Sequence, residues 1–295
     1  MSPAVEPPIA AMGAPAKPQD ATVPFDWRGF FWFIFWFATL VFSLRVLIIS
    51  PYNIPSESMQ PRLLIGDYLL VNKMAYGYSK YSLPFSVPLI PGRVFARTPE
   101  RGDVVVFKAP PVNDNDYIKR VIGLPGDTIE LKGGALFING KPIKREVQPM
   151  LAVPVDDNMP GPDSTLGRFL DRDATGKSVL ELPIVRETLP GGATFDTIDM
   201  GPGYMTDDYG PITVPPDHLF LMGDNRDGSA DSRVSVDRKG LGGPVPFDAI
   251  AGRAEIISFS TDGTAEWYNP LSWFEALRSG RAGTNLRPAH NGKTE

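Results

Sequence analysis

The stretch Tyr117-Ile118-Lys119-Arg120-Val121-Ile122-Gly123, closed by Leu124-Pro125-Gly126-Asp127, decides the fold class. Read as a strand, it sets Tyr117, Lys119 and Val121 on one face and Ile118, Arg120 and Ile122 on the other, because side chains alternate along a strand. Working outward, Leu-Pro-Gly-Asp is a tight turn, and Ile129–Leu131, Gly133-Gly134, Ala135–Ile138 and Asn139-Gly140 read as consecutive hairpins, since Asn-Gly suits the primed turn of a two-residue loop. Upstream, Arg101-Gly102-Asp103 launches Val104-Val105-Val106-Phe107, a β-branched run too short for a helix. Leu63–Ile65, then Gly66-Asp67 and Tyr68–Val71, give a turn and another strand-length run. Downstream, Leu219–Met222 and Arg253–Ile257 complete a mainly β reading. Residues 75–99 are expected as loop. Residues 146–215, rich in proline and acids, read as an inserted subdomain of short strands and loops without recognisable chemistry.

One apolar run breaks this pattern. Gly29–Leu44 carries no charge, and sixteen helical residues span only about 24 Å. Extended through Arg45 to Ile49 it reaches about 32 Å, enough for a bilayer core. Arg45 can snorkel to the headgroups, and Trp27, Trp32 and Tyr52 suit the interface. The long polar segment ahead of the run, and no small-x-small site behind it, favour an uncleaved single anchor over a cleaved leader. The expected organisation is a disordered tail over 1–26, an anchor over 27–50, a main β domain from 51–145 and 216–277, the insert, and a C-terminal tail over 278–295. Trp267–Leu277 is read as a short amphipathic helix. Lys17 and Arg28 on one flank barely differ from Arg45 and Arg62 on the other, so charge does not orient the anchor.

Composition narrows the chemistry. The 295 residues carry a net charge of -5, which leaves no basic footprint for nucleic acid. With no cysteine there is no thiolate nucleophile, no disulfide and no cysteine metal site. The two histidines, His218 and His290, limit any Ser-His-Asp scheme. His218 follows Pro-Pro-Asp and His290 lies in a polar tail, so neither suits a base. No carboxylates have metal-ligand spacing; Asp224, Asp227 and Asp231 lack the bidentate glutamate of a calcium loop.

Attention therefore turns to Ile54-Pro55-Ser56-Glu57-Ser58-Met59-Gln60-Pro61, just after the apolar run. Extended backbone places the Ser56 and Ser58 hydroxyls on one side, as a nucleophile and a neighbouring donor would be presented; a proline-rich linker is the plain alternative. Ser58 is not in a Gly-x-Ser-x-Gly elbow, which disfavours an α/β-hydrolase layout. A serine nucleophile here must draw its base from elsewhere; Ser-Lys pairs are a known variant, and a lysine serves only if burial lowers its pKa from about 10.4. Lys119, between Tyr117 and Val121, is the best placed; Lys73 and Lys108 follow. Lys119 also fits an ordinary surface position on a strand. The polar run Gly223–Arg233 after Leu219–Met222 reads as a structured functional loop or as a solvated hairpin tip.

Taken in order, these blocks resemble one family. An anchor, Pro-Ser-x-Ser-Met-x-Pro, Arg-Gly-Asp-Val-Val-Val-Phe, Tyr-Ile-Lys-Arg-Val-Ile-Gly-Leu-Pro-Gly-Asp and Gly-Asp-Asn-Arg-Asp-x-Ser-x-Asp-Ser-Arg look like the bacterial type I signal peptidases (leader peptidases). The likeness covers about residues 30–145 and 215–257. It implies a β-rich extracytoplasmic domain on a single-pass anchor in the bacterial cytoplasmic (inner) membrane, cleaving signal peptides from exported preproteins after small residues (Ala-x-Ala). By position it makes Ser58 the nucleophile and Lys119 the general base. It makes the Ser58 N–H and the Ser56 hydroxyl the oxyanion donors, and Ser229 the hydroxyl that orients Lys119. Asp231 and Arg233 match a supporting ion pair, and Asp224 to Asp227 shape that loop. Ile54, Pro55, Met59, Leu63, Tyr117 and Ile118 match the apolar walls that accept the substrate. The implied partners are signal peptides and the lipid bilayer, not nucleic acid; no cofactor or metal is implied, and a monomer is expected. Glu57 stands where the family usually has Gly, and Arg62 where Thr is common. A self-cleaving Ser-Lys repressor would want a DNA-binding region, which the anchor and the charge disfavour; an inactive membrane-tethered scaffold is the non-enzymatic alternative.

Overall fold

The computed structural model describes residues 25–83, 86–109, 115–159 and 164–290. The disordered tail expected over 1–26 falls, up to residue 24, outside the described residues.

The apolar run forms one helix, Trp27–Leu47, with no buried residue. Its length and composition suit a membrane crossing. The expected anchor ran to residue 50, but the helix stops at Leu47 and Ile49–Asn53 is already a strand paired with Asp67–Asn72. Hydropathy does not mark this change, because Ile48 and Ile49 prolong the apolar run. What ends the helix is a set of side chains taking its last free carbonyls. Ser50 Oγ donates to Arg45 O at 3.0 Å, Lys73 Nζ to Val46 O at 3.3 Å, and the Tyr78 hydroxyl to Leu47 O. Phe42 onward forms a compact unit, and residues up to Val41 another.

The β unit is built on a seven-stranded antiparallel sheet. Its order is Ile49–Asn53, Asp67–Asn72, Ile250–Ser260, Val104–Lys108, Asp116–Gly123, His218–Met222 and Val245–Pro246. Asp116–Gly123 is therefore interior, with Val105 opposite Lys119 and Met222 opposite Arg120. Its apolar side chains feed three clusters: Ile118 with Ile54, Met59 and Leu63; Tyr117 and Val121 with Val105, Phe107 and Leu221; Ile122 with Ile129, Leu136 and Phe220. Both faces are thus covered, and Lys119 and Arg120 are carried into the interior between them.

The hairpins form where the turn residues call for them. Asn139 and Gly140 both have positive φ (54° and 73°), as do Gly133 and Gly134, which is the geometry of the primed two-residue turn. Within 75–99 the loop is pinned by a short pair, Tyr78–Ser79 with Arg93–Val94. The insert contributes Leu151–Pro154, Leu170–Arg172 and Ser178–Leu182 as one sheet. A second sheet joins Lys144–Val147, Ile184–Thr188, Ala193–Ile198 and Ala289–His290. The insert's last strand, Tyr209–Thr213, lies in a separate sheet, paired with Thr128–Lys132.

Two C-terminal expectations need correction. Trp267–Leu277 holds only one helical turn, Ser272–Glu275, and Trp267, Tyr268, Leu271, Trp273 and Phe274 are exposed. A four-residue helix is below the length that sustains itself, and Asn269-Pro270 blocks its extension backward. The segment from 278 is not a loose tail, at least to His290. Arg278 chelates Asp156 at 2.8 and 2.9 Å, Arg281 pairs with Asp67, Leu286 lies in the core, and Ala289–His290 adds an edge strand.

Candidate active site

Ser58 sits in a single 3-10 turn, Glu57–Met59. Ser56 before it is extended (φ -140°, ψ 158°), so extended backbone through Ser58 does not hold. The turn nevertheless leaves the two hydroxyl oxygens 3.3 Å apart. The turn is fastened from the 223–233 loop, where the Asn225 N–H donates to Ser58 O at 3.2 Å and its side-chain amide to Glu57 O at 3.3 Å.

Lys119 Nζ donates to Ser58 Oγ at 2.7 Å and to Ile118 O at 2.9 Å. Ser58 is 8% exposed and Lys119 3%. Burial pushes the Lys119 amine down to about 8; Asp231 and Asp224 pull it upward and Arg233 lowers it further. Desolvation wins because neither carboxylate forms an ion pair with the amine, each being engaged by an arginine instead. Asp231 would be raised by its own burial. The Arg233 guanidinium and the N–H groups of Gly223 and Arg233 outweigh that and hold its carboxyl below the usual range. Arg233 reaches Asp231 at 2.8 and 2.9 Å. Asp224 is gripped by Arg120, Nε at 2.7 Å and Nη2 at 2.5 Å.

The other lysines are elsewhere. Lys73 serves Val46 O, and Lys108 pairs with Asp116 at 3.1 Å. Ser229 is buried near Ser58, but no hydrogen bond joins it to Lys119; its Oγ has no partner among the described residues. The amine is oriented instead by Ile118 O, which its own strand supplies. Of the expected apolar walls, Met59 and Leu63 are wholly buried and Ile54 nearly so. They support the site from within the core with Ile118, since the 3-10 turn aims Met59 inward. Pro55 is exposed and Tyr117 half-buried, so these two present surface.

Two contributors escaped sequence reasoning. A Cβ on Gly223 would lie 2.3 Å from Ser229 Oγ and 2.4 Å from Ser58 O, so only glycine lets the loop close on the Ser58 turn. Arg120 carries the largest fully buried side chain among the described residues and fixes Asp224. The signal for it was a cation inside an apolar strand with an acid-rich loop downstream.

A buried hydroxyl held by a buried amine of lowered basicity, with a second hydroxyl beside it, can attack a carbonyl without histidine or metal. Fold and site together present a β-rich domain in which a buried amine lies against a buried hydroxyl. The family model described as signal peptidase, peptidase S26, matches residues 27–259. Signal peptidase I of Rickettsia typhi (strain ATCC VR-144 / Wilmington) is 38% identical over 261 residues, covering 82% of this chain and 88% of that one. Signal peptidase I of Rickettsia massiliae (strain Mtu5) is 37% identical over 285 residues, covering 90% and 94%. A crystal structure of a signal peptidase I from Enterococcus faecalis V583 is a fainter likeness, 23% identical with a TM-score of 0.28 over 53% of this chain and 97% of that one. The chain belongs to the signal peptidase family, peptidase S26, and is a serine endopeptidase.

Proposed function

We propose that this chain is a membrane-bound endopeptidase that removes N-terminal signal peptides from exported preproteins, with Ser58 as nucleophile and Lys119 as general base. The observation that carries the reading is the 2.7 Å contact from Lys119 Nζ to Ser58 Oγ between two buried side chains. In its neutral form Lys119 takes the Ser58 proton as Oγ attacks the scissile carbonyl. The Ser56 hydroxyl and the Ser58 N–H receive the oxyanion, and loss of one such donor typically costs ~3–4 kcal/mol. The ammonium then protonates the leaving amine, and water releases the acyl group by the reverse relay. Small residues before the scissile bond (Ala-x-Ala) suit a site backed by the close-packed Ile54–Met59–Leu63 core. The apolar helix and the exposed aromatic residues 267–274 favour work at a bilayer; membership of the signal peptidase family supports placing it in the cytoplasmic membrane with the catalytic unit on the outer side. The test is processing of an Ala-x-Ala preprotein by detergent-solubilised protein. Ser58→Ala and Lys119→Ala should each abolish cleavage while the chain still folds; full activity in either sinks the reading. Lys119→Arg should fail too, because a guanidinium stays protonated.

A further inference from the structure

We propose that Glu187, contributed by the inserted sheet, is a positioning residue for the Ser58–Lys119 pair and acts through Arg226. The proposal rests on the nucleophile and base assigned above. Glu187 is 1% exposed on the strand Ile184–Thr188, and its Oε2 lies 2.7 Å from Arg226 Nη2. Among the described residues it is the only carboxylate in ion-pair range of that guanidinium. Arg226 Nη1 otherwise meets only Met222 Sδ, at 3.8 Å, and Nε has no acceptor. A buried arginine so poorly provided for depends on its one carboxylate.

Arg226 adjoins the contact that matters. Its neighbour Asn225 holds both Ser58 O and Glu57 O, and its own carbonyl accepts from Arg233, the partner of Asp231. The inserted sheet seats the same residues by backbone: Ile198 N–H donates to Asp224 O at 2.9 Å and Arg226 N–H to Ile198 O at 3.0 Å. Phe195 of the insert lies under the guanidinium carbons of Arg120 and Arg226, at 4.2 and 6.0 Å from its ring centre. A chain of direct contacts thus runs from Glu187 through Arg226 and Asn225 to the nucleophile turn.

Charge gives the idea a signature that packing alone lacks. Arg226 faces Glu187 from the insert, Asp224, Asp231 and Arg233 from its own loop, and Arg120 across Phe195; behind Glu187 stand Arg145 and Asp199. Withdrawing the Glu187 charge leaves the Arg226 cation to oppose the pull of Asp224 and Asp231 on Lys119. The ammonium becomes less favourable, so Lys119 must lose its proton at lower pH.

The experiment compares pH profiles of kcat and KM for native protein and Glu187→Gln, on a short Ala-x-Ala peptide with the full chain in detergent. The native acid limb and its loss in Ser58→Ala are recorded first, so failure of the dyad reading shows there and separately. Glu187→Gln should lower kcat about tenfold with KM little changed, and move the acid limb of kcat/KM down by about half a pH unit. Glu187→Asp, which keeps the charge, should bring the limb back. A folded Glu187→Gln with native kcat and an unmoved limb overturns the proposal. Should that variant not fold, Glu187→Leu with Arg226→Met removes both charges. It should then lose kcat with the limb at its native position, and native kcat in the pair overturns the proposal equally.

Discussion

At the scale of single residues, Lys119 as the proposed base should set the pH response. Deprotonation of a base with a pKa of about 8 should appear as an acid limb in kcat/KM centred near that value, since this ratio reports the free enzyme. A profile flat from pH 6 to 9 contradicts a lysine base. The same shift has a cost in stability, and its sign is fixed by linkage. The folded pKa lies below the ordinary 10.5, so between about 8 and 10.5 the unfolded chain binds more protons and stability rises with pH. The lysine's contribution is full above 10.5 and is lost as pH falls through about 8, a swing of roughly 3 kcal/mol. Lys119→Met, similar in length but never charged, should therefore be inactive yet more stable than native protein at pH 7 by ~1–3 kcal/mol. The gap should narrow as pH rises toward 9.5. Urea unfolding of the two proteins across that range checks it, and a less stable Met variant at pH 7 contradicts the account. Gly223 is the complementary case: Gly223→Ala should lower kcat about a hundredfold, because the methyl meets Ser58 O and Ser229 with no route of escape. Near-native kcat in that variant would show the loop to be pliant.

At the scale of elements, legibility tracks how local the determining interactions are. Asn139-Gly140 gave its hairpin because both residues tolerate positive φ, a property of two positions. The Tyr117–Gly123 strand was legible from alternation, and the Ser58 and Lys119 candidates from their motifs and the poverty of other bases. Three things were hidden. The strand Ile49–Asn53 looks like the end of the anchor, since only its pairing with Asp67–Asn72 tells it apart. The missing Ser229–Lys119 bond is a matter of side-chain placement within a loop that the motif does locate. The segment 278–290 reads as tail because Arg, Gly, Thr and Asn give no period, yet its partners lie far upstream, Asp156 for Arg278 and Asp67 for Arg281. Leu286 is the lone apolar member of that segment in the core. Leu286→Ala should cost ~2–5 kcal/mol, as for other buried leucines, and chemical denaturation of the full chain measures it. A loss below ~0.5 kcal/mol would return the segment to the status of a tail.

At the scale of the whole molecule, the question is where the peptidase unit begins. The compact unit starts at Phe42, within the helix rather than after it. The reason lies in the carbonyls of the last helical turn, which Ser50, Lys73 and Tyr78 take up from the β unit. Lys73 is 5% exposed, and Val46 O is its one acceptor among the described residues. A chain lacking residues 2–41 keeps all three carbonyls, and should unfold at the same denaturant concentration as the full chain. It should cleave a soluble Ala-x-Ala peptide within about threefold of the native kcat/KM. On a preprotein embedded in vesicles it should lose at least about tenfold, because the tether no longer raises the local concentration of enzyme at the surface. Cutting on to Leu47 removes the acceptors of Lys73 and Tyr78, and should lower stability by a further ~1–3 kcal/mol, the typical cost of orphaned buried donors. Equal stability of the two truncations would mean that the helix end is merely appended. Equal vesicle activity of the full chain and the shorter truncation would mean that the β unit finds the membrane by itself, for which the exposed aromatic residues 267–274 offer a surface.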